Sequence, residues 1–189
     1  MIGLVIFFSA SAAADAHLSV EGVGELANGA LHPLLSPAHV LLFLSLALLL
    51  GQQVPFDLKA PLRIFAPASA LALLLTLTEW VTEVYQPLLV ALALITASLI
   101  ALEIKIPRWF GGFLCGAVAV GIGLDSAPGE GSVLKTLAGT WLSLNAVIFY
   151  IAMCASNGSD KKWARVAIRV LGSWIIAISL MVLAFSLRK

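Results

Sequence analysis

Of 189 residues, 61% are hydrophobic and 11% charged, and the mean hydropathy is +1.04, whereas an ordinary soluble domain is roughly half apolar and one-quarter charged. Water is therefore excluded as the main solvent. The net charge of +1 excludes a nucleic-acid or acidic partner recruited by bulk basicity, so the information lies in where the charges sit.

The chain opens with a short apolar stretch, Ile2 to Phe8, followed by the small-residue run Ser9 to Ala16. The stretch is too short to span a bilayer and reads as a signal peptide over residues 1–16, leaving 17–189 as a single six-helix transmembrane domain. Ala14-x-Ala16 fits the small-x-small cleavage rule and so does Ala12-x-Ala14. Cleavage after Ala16 makes His17 the first residue. Its free amine, the next backbone nitrogen and its imidazole then form one chelate for a transition metal.

Six apolar runs follow, over about 34–53, 62–80, 86–104, 109–125, 133–155 and 164–187. They predict an all-α, polytopic membrane helix bundle. The first, third and fifth gaps between them carry Lys59, Arg63, Lys105, Arg108, Lys161, Lys162, Arg165 and Arg169, against only Lys135, Arg188 and Lys189 on the other side. By the positive-inside rule those gaps face the cytoplasm, which puts the mature N-terminus outside a plasma (inner) membrane. Acidic residues lean the other way, with Asp15, Glu21, Glu25, Glu79, Glu83, Asp125 and Glu130 outside and only Asp57, Glu103 and Asp160 inside. Such a surface concentrates cations at the outer mouth.

All three histidines, His17, His32 and His39, fall within 23 residues on the expected outer side. Ser36 is placed to cap a helix and Pro37 to open it, which sets His39 in the first turn of the first span. On one continuous helix, histidines seven apart sit about 10 Å from each other along the axis, too far to share an ion. A break at Ser36-Pro37 lets His32 fold back. Imidazoles with a carboxylate suit nickel, cobalt, zinc or copper. Glu79 and Glu83, four apart beside Trp80, share a helix face at the outer end of the second span, and Asp125 ends the fourth.

The fourth span holds Gly112-x-x-x-Gly116 among further small residues, so it reads as the central, tightly packed helix. Asn145 is the most polar residue placed deep in the bundle, and an interhelical hydrogen bond is its expected use. Cys115 and Cys154 lie at opposite depths and read as buried free thiols. No Gly-x-Ser-x-Gly elbow, P-loop, HExxH or Cys-x-x-Cys is present, so neither catalysis nor ATP coupling has motif support and the chain does not read as an enzyme.

The stretch Gly29-Ala30-Leu31-His32-Pro33-Leu34-Leu35-Ser36-Pro37-Ala38-His39-Val40-Leu41-Leu42-Phe43-Leu44 resembles the HupE/UreJ family of small membrane proteins, associated with nickel or cobalt uptake. The family signature there runs approximately G-x-x-H-P/I-x-x-G-x-D-H-L-L. The resemblance extends to the cleaved signal, the Ala-His start, the six-span plan and the length. It implies that His32 and His39 match the family's first-span histidines and His17 its N-terminal one. The sequence departs from the signature at Ala38, which replaces an aspartate, and at Gly121-Ile122-Gly123-Leu124-Asp125, where the family's later histidine motif has no histidine here.

These residues describe a secondary, ATP-independent permease or binding protein for a divalent transition metal. The ion is a substrate, nickel or cobalt by resemblance, with zinc or copper compatible with the donors. His17, His32, His39, Glu79, Glu83 and Asp125 are the candidate ligands. Lipid is the expected surrounding partner, and a homo-oligomer or a larger membrane complex is open. Two rivals are an accessory or assembly subunit that no longer transports, and an intramembrane zinc hydrolase, for which two histidines are few. If neutral imidazoles of His32 and His39 hold the ion, affinity at low, fixed free metal falls as pH drops through the ordinary histidine range near about 6.5. A site of Glu79, Glu83 and Asp125 keeps its metal to roughly two units lower, so a titration flat from about pH 7.5 to 5 rules out the histidine site and leaves a carboxylate site or none.

Overall fold

The computed structural model describes residues 24–53, 59–78, 86–127, 132–186 and 188; the expected signal peptide, His17, Glu79, Glu83 and Glu130 lie outside them. Among the described residues there are seven α-helices and no strand: α1 (Glu25–Leu35), α2 (Pro37–Gln52), α3 (Lys59–Leu75), α4 (Gln86–Ala101), α5 (Arg108–Leu124), α6 (Val133–Gly158) and α7 (Lys162–Ser186). The six apolar runs read from the sequence appear as α2 to α7. The additional helix is α1, in a stretch whose Glu25, Asn28 and His32 gave no apolar signal.

Local chemistry explains the break that separates α1 from α2. A residue before proline is pushed away from helical geometry, and Ser36, ahead of Pro37, is extended at φ −84° and ψ 115°. Pro37 then opens α2 without loss, since the first helical N–H has no intrahelical partner anyway. Ser36 takes the expected cap position, but its side chain makes no capping hydrogen bond. The two helices are bent by 77°.

Pro33 lies inside α1 and has no N–H to give the carbonyl of Gly29, four residues back. That carbonyl accepts instead from Thr140 Oγ1 on α6, at 2.9 Å. Backbones meet at the same place. A Cβ on Gly29 would collide with the Thr136 carbonyl of α6, and one on Gly139 with the Leu26 carbonyl of α1. Glu25 closes the far end of the contact by accepting from the Ser132 N–H at 2.8 Å and facing Lys135 Nζ at 3.6 Å.

Three helix pairs, α1 with α6, α3 with α5 and α4 with α7, surround α2, which packs on α4 and α6 and touches α5 and α7. Twelve of the sixteen residues of α2 are buried, against seven of seventeen in α5. The enclosed helix is therefore α2. The glycines of α5 serve its neighbours one by one: Gly112 faces Ile64 of α3, Gly121 faces Leu89 of α4, and Gly123 lies against Ala72 and the Ser69 carbonyl of α3. Inside the bundle the hydroxyls of Ser45 of α2 and Thr96 of α4 share a 2.6 Å hydrogen bond, and the hydroxyl whose proton is not used there donates to a carbonyl of its own helix. Asn145 does not bridge helices as expected; its Nδ2 donates to Trp141 O one turn back, and Trp141 Nε1 crosses to Ala66 O of α3 at 2.9 Å. Both cysteines are free, but only Cys115 is buried and Cys154 is exposed on α6.

The end carrying the basic gaps is tied by polar side chains. The amide of Gln53 donates to Ile104 O at 3.3 Å and accepts from the Ile106 N–H at 3.1 Å, joining the end of α2 to the loop after α4. Glu103 is bonded to Arg165 of α7 and faces Arg169 at 3.7 Å. It does so from a left-handed backbone, φ 54°, in the position past a helix end that glycine usually takes, with the Ile104 N–H closing back to Leu99 O. Apolar side chains cover much of the outside, among them Leu71, Leu88, Ile95, Phe113, Trp174 and Phe185, the surface of a molecule solvated by lipid. By length and composition α6 and α7 are each able to cross a membrane, and α1 with α2 if counted as one broken span; α3, α4 and α5 are shorter apolar helices of 17, 16 and 17 residues.

Backbone contact at α1 and α6 leaves no room for a side chain, so Gly29→Leu or Gly139→Leu lowers stability by about 1–3 kcal/mol or prevents folding. Gly24→Ala, whose added Cβ meets nothing within 4 Å, is the control and leaves the unfolding midpoint in detergent unchanged.

Candidate metal site

The 77° bend turns α1 back across the start of α2 and brings two of the histidines together. The rings of His32 and His39 stand edge to face, 5.8 Å between centroids and 61° between planes. This is the fold-back that the Ser36-Pro37 break predicts, although α1 makes it as a helix. His39, in the first turn of α2, is 0% exposed. On its other side Asp125, the residue that ends α5, comes within 2.8 Å of His39 Nε2 through Oδ2. The first turn of α2 and the last of α5 thus lie at one end of the bundle, opposite the end tied by Gln53 and Glu103.

Asp125 is held in place by the close of its own helix. Its N–H bonds to Gly121 O at 3.2 Å, and Ser126 Oγ donates to Ile122 O at 2.7 Å. Gly123, two residues earlier, lets α5 seat against α3. The side chain is 11% exposed, so the pair is nearly dry and each partner depends on the other for hydrogen bonding. His39 Nδ1 is buried with no hydrogen-bond partner among the described residues.

Of the six candidate ligands, the structure brings His32, His39 and Asp125 to one place; His17, Glu79 and Glu83 fall outside the described residues. Among the described residues no group of three or more His, Cys, Asp and Glu side chains is arranged to hold a metal ion. The supporting residues Gly29, Pro33, Thr140 and Gly139 were not legible as such, because each matters only through a contact between helices about a hundred positions apart. Pro33 inside a helix next to a histidine was the available signal: it implies a freed carbonyl that some donor must meet.

The signature-bearing stretch Gly29 to Leu44 is thus the bent α1–α2 pair itself, and residues 5–182 match the family described as HupE / UreJ protein. The chain belongs to the HupE/UreJ family. No curated protein and no solved structure matches it. Membership makes it a membrane protein of a family associated with nickel and cobalt. Ala38, beside His39, carries no carboxylate, and the carboxylate that meets His39 comes from the end of α5.

Removing one partner of a buried pair leaves the other unsatisfied, so Asp125→Leu lowers stability by about 1–3 kcal/mol. The same substitution costs far less where His39 is already leucine, since no polar ring then remains to be satisfied. Unfolding of the four proteins in detergent gives the coupling directly, and equal costs in both backgrounds deny the contact.

Proposed function

We propose that this HupE/UreJ protein is a secondary, ATP-independent permease for a divalent transition metal, nickel or cobalt, which it takes up at the end of the bundle holding His32, His39 and Asp125. The supporting observation is the pairing of two imidazoles, 5.8 Å between ring centroids, beside a partly buried carboxylate, with a helix break within the family's signature stretch. Imidazole nitrogen and carboxylate oxygen are the donors that borderline divalent ions favour. A metal held at about 2.1 Å by two imidazoles keeps their ring centroids about 5–6 Å apart, so the observed separation fits one shared ion.

In this reading the membrane is crossed six times, with α1 and α2 forming one broken span and α3 to α7 the other five. Broken helices with irregular backbone facing a cavity are a recurrent way of building a substrate site inside a membrane. The end tied by Gln53 and Glu103, rich in Lys and Arg, faces the cytoplasm of a plasma membrane and the histidine end faces outward. His17, the mature N-terminus after signal cleavage, and Glu79 and Glu83 at the outer end supply further donors. The absence of a three-residue metal group among the described residues favours one alternative, an accessory subunit whose helices pack in a larger complex.

Titration calorimetry with Ni2+ or Co2+ on the purified chain separates them. His39→Ala weakens binding by more than about tenfold while Glu130→Ala leaves it near the parent value. Equal affinity in all three proteins dismisses the histidine site; no affinity in the parent, with a stoichiometric membrane partner copurifying, supports the accessory reading.

A further inference from the structure

Asp125 can serve an ion in two ways, as a ligand or as a support for a ligand, and the two leave different atoms facing the metal. Its contact is with Nε2 of His39, at 2.8 Å. A carboxylate accepts hydrogen bonds and does not donate them, so the proton of that bond belongs to Nε2. A neutral imidazole has one ring proton, and the lone pair is therefore on Nδ1. Nδ1 is also the ring nitrogen that is buried with no hydrogen-bond partner among the described residues, on a side chain 0% exposed. A buried acceptor kept without a donor costs stability, and its use is as a donor of electrons to something that arrives. The neighbouring ring is that of His32, whose Nε2 is buried as well.

We propose that Asp125 is a positioning residue and not a ligand: it fixes His39 as the Nε2–H tautomer, so that His39 meets the transition-metal ion through Nδ1. This rests on the metal-uptake reading and says which atom performs it. The arrangement is that of a carboxylate behind a ligating histidine, which orients the ring and raises the basicity of the nitrogen facing the metal. It also accounts for why His32, His39 and Asp125 lie together without forming a three-ligand group. The carboxylate is on the far side of the ring. Further ligands to the ion then come from His32 and from donors other than Asp125.

The test is long-range 1H–15N correlation spectroscopy of the full chain in detergent, labelled with 15N-histidine and titrated with Zn2+, a diamagnetic ion for the same donors. Loss of signals in His39→Gln assigns the ring. Expected is an Nε2–H pattern before metal, and a Zn2+-induced shift confined to Nδ1 with the Nε2–H retained. Asp125→Leu loses the tautomer preference and weakens Zn2+ binding about 10–100-fold, while Asp125→Asn, whose side-chain oxygen still accepts from Nε2, restores the tautomer and most of the affinity. A shift at Nε2, or Asp125→Asn binding no better than Asp125→Leu, makes Asp125 a ligand and overturns the inference while leaving metal uptake standing. A parent that binds neither Zn2+ nor Co2+ overturns both.

Discussion

A proline in a helix leaves a carbonyl with no partner, and in an apolar surrounding that carbonyl has to be met by another part of the chain. Pro33 does this to Gly29, and Thr140 of α6 answers it. The same glycine has no side chain to hold the helices apart, so the hydrogen bond and the close backbone contact with α6 are one event. Once α1 is fixed there, the bend at Ser36 has only one outcome: His32, one residue before Pro33, is carried to the start of α2. The geometry of the histidine pair is a consequence of where a backbone oxygen found a donor.

The interior follows the same accounting. Thr140 gives its hydroxyl proton to carbonyls of α1 and of its own helix, Ser126 gives its own to Ile122 O, and Ser45 and Thr96 share one hydrogen bond and reach a carbonyl with the proton that remains, so their burial costs little. His39 differs. It is a large ring with two nitrogens, fully enclosed, and the described residues satisfy only one of them. A neutral hydrogen bond contributes about 1 kcal/mol net, whereas an unmet buried group costs about 1–3 kcal/mol, so this side chain is a poor choice for stability alone. An expensive residue at the meeting of a helix break and a helix end is where function is expected to be located.

Much of the architecture was readable because it depends on run length and composition. The stretches that became α2 to α7 are continuous apolar runs of helical length, and the Ser36-Pro37 break follows from sterics between adjacent residues. What escaped depends on partners distant in the chain. Helix α1 is short, its apolar residues are interrupted by Asn28 and His32 and it contains a proline, and its place in the fold is set by the contact with α6. Asp125 was a candidate on its own, yet nothing local says that its partner is His39, 86 positions away. The small residues of α5 are legible because they are concentrated in one helix, whereas the closest backbone approach uses one glycine from each of two helices, Gly29 and Gly139, and leaves no pattern within either. Glu103, in a backbone geometry that favours glycine, shows the same limit: the arginines of α7 that justify its carboxylate begin 62 residues later.

The seat of α1 on α6 also sets an order of events. A chain made from its N-terminus exposes His32 and His39 more than ninety residues before Thr136, Gly139 and Thr140 exist to receive the helix that positions them. Asp125, too, arrives late. During synthesis the two imidazoles are tethered by a short segment with neither its carboxylate nor its docking groove, and long-range contacts of this kind are the slow ones to form. The contacts that hold His32, His39 and Asp125 together are thus completed only once the second half of the chain has been made.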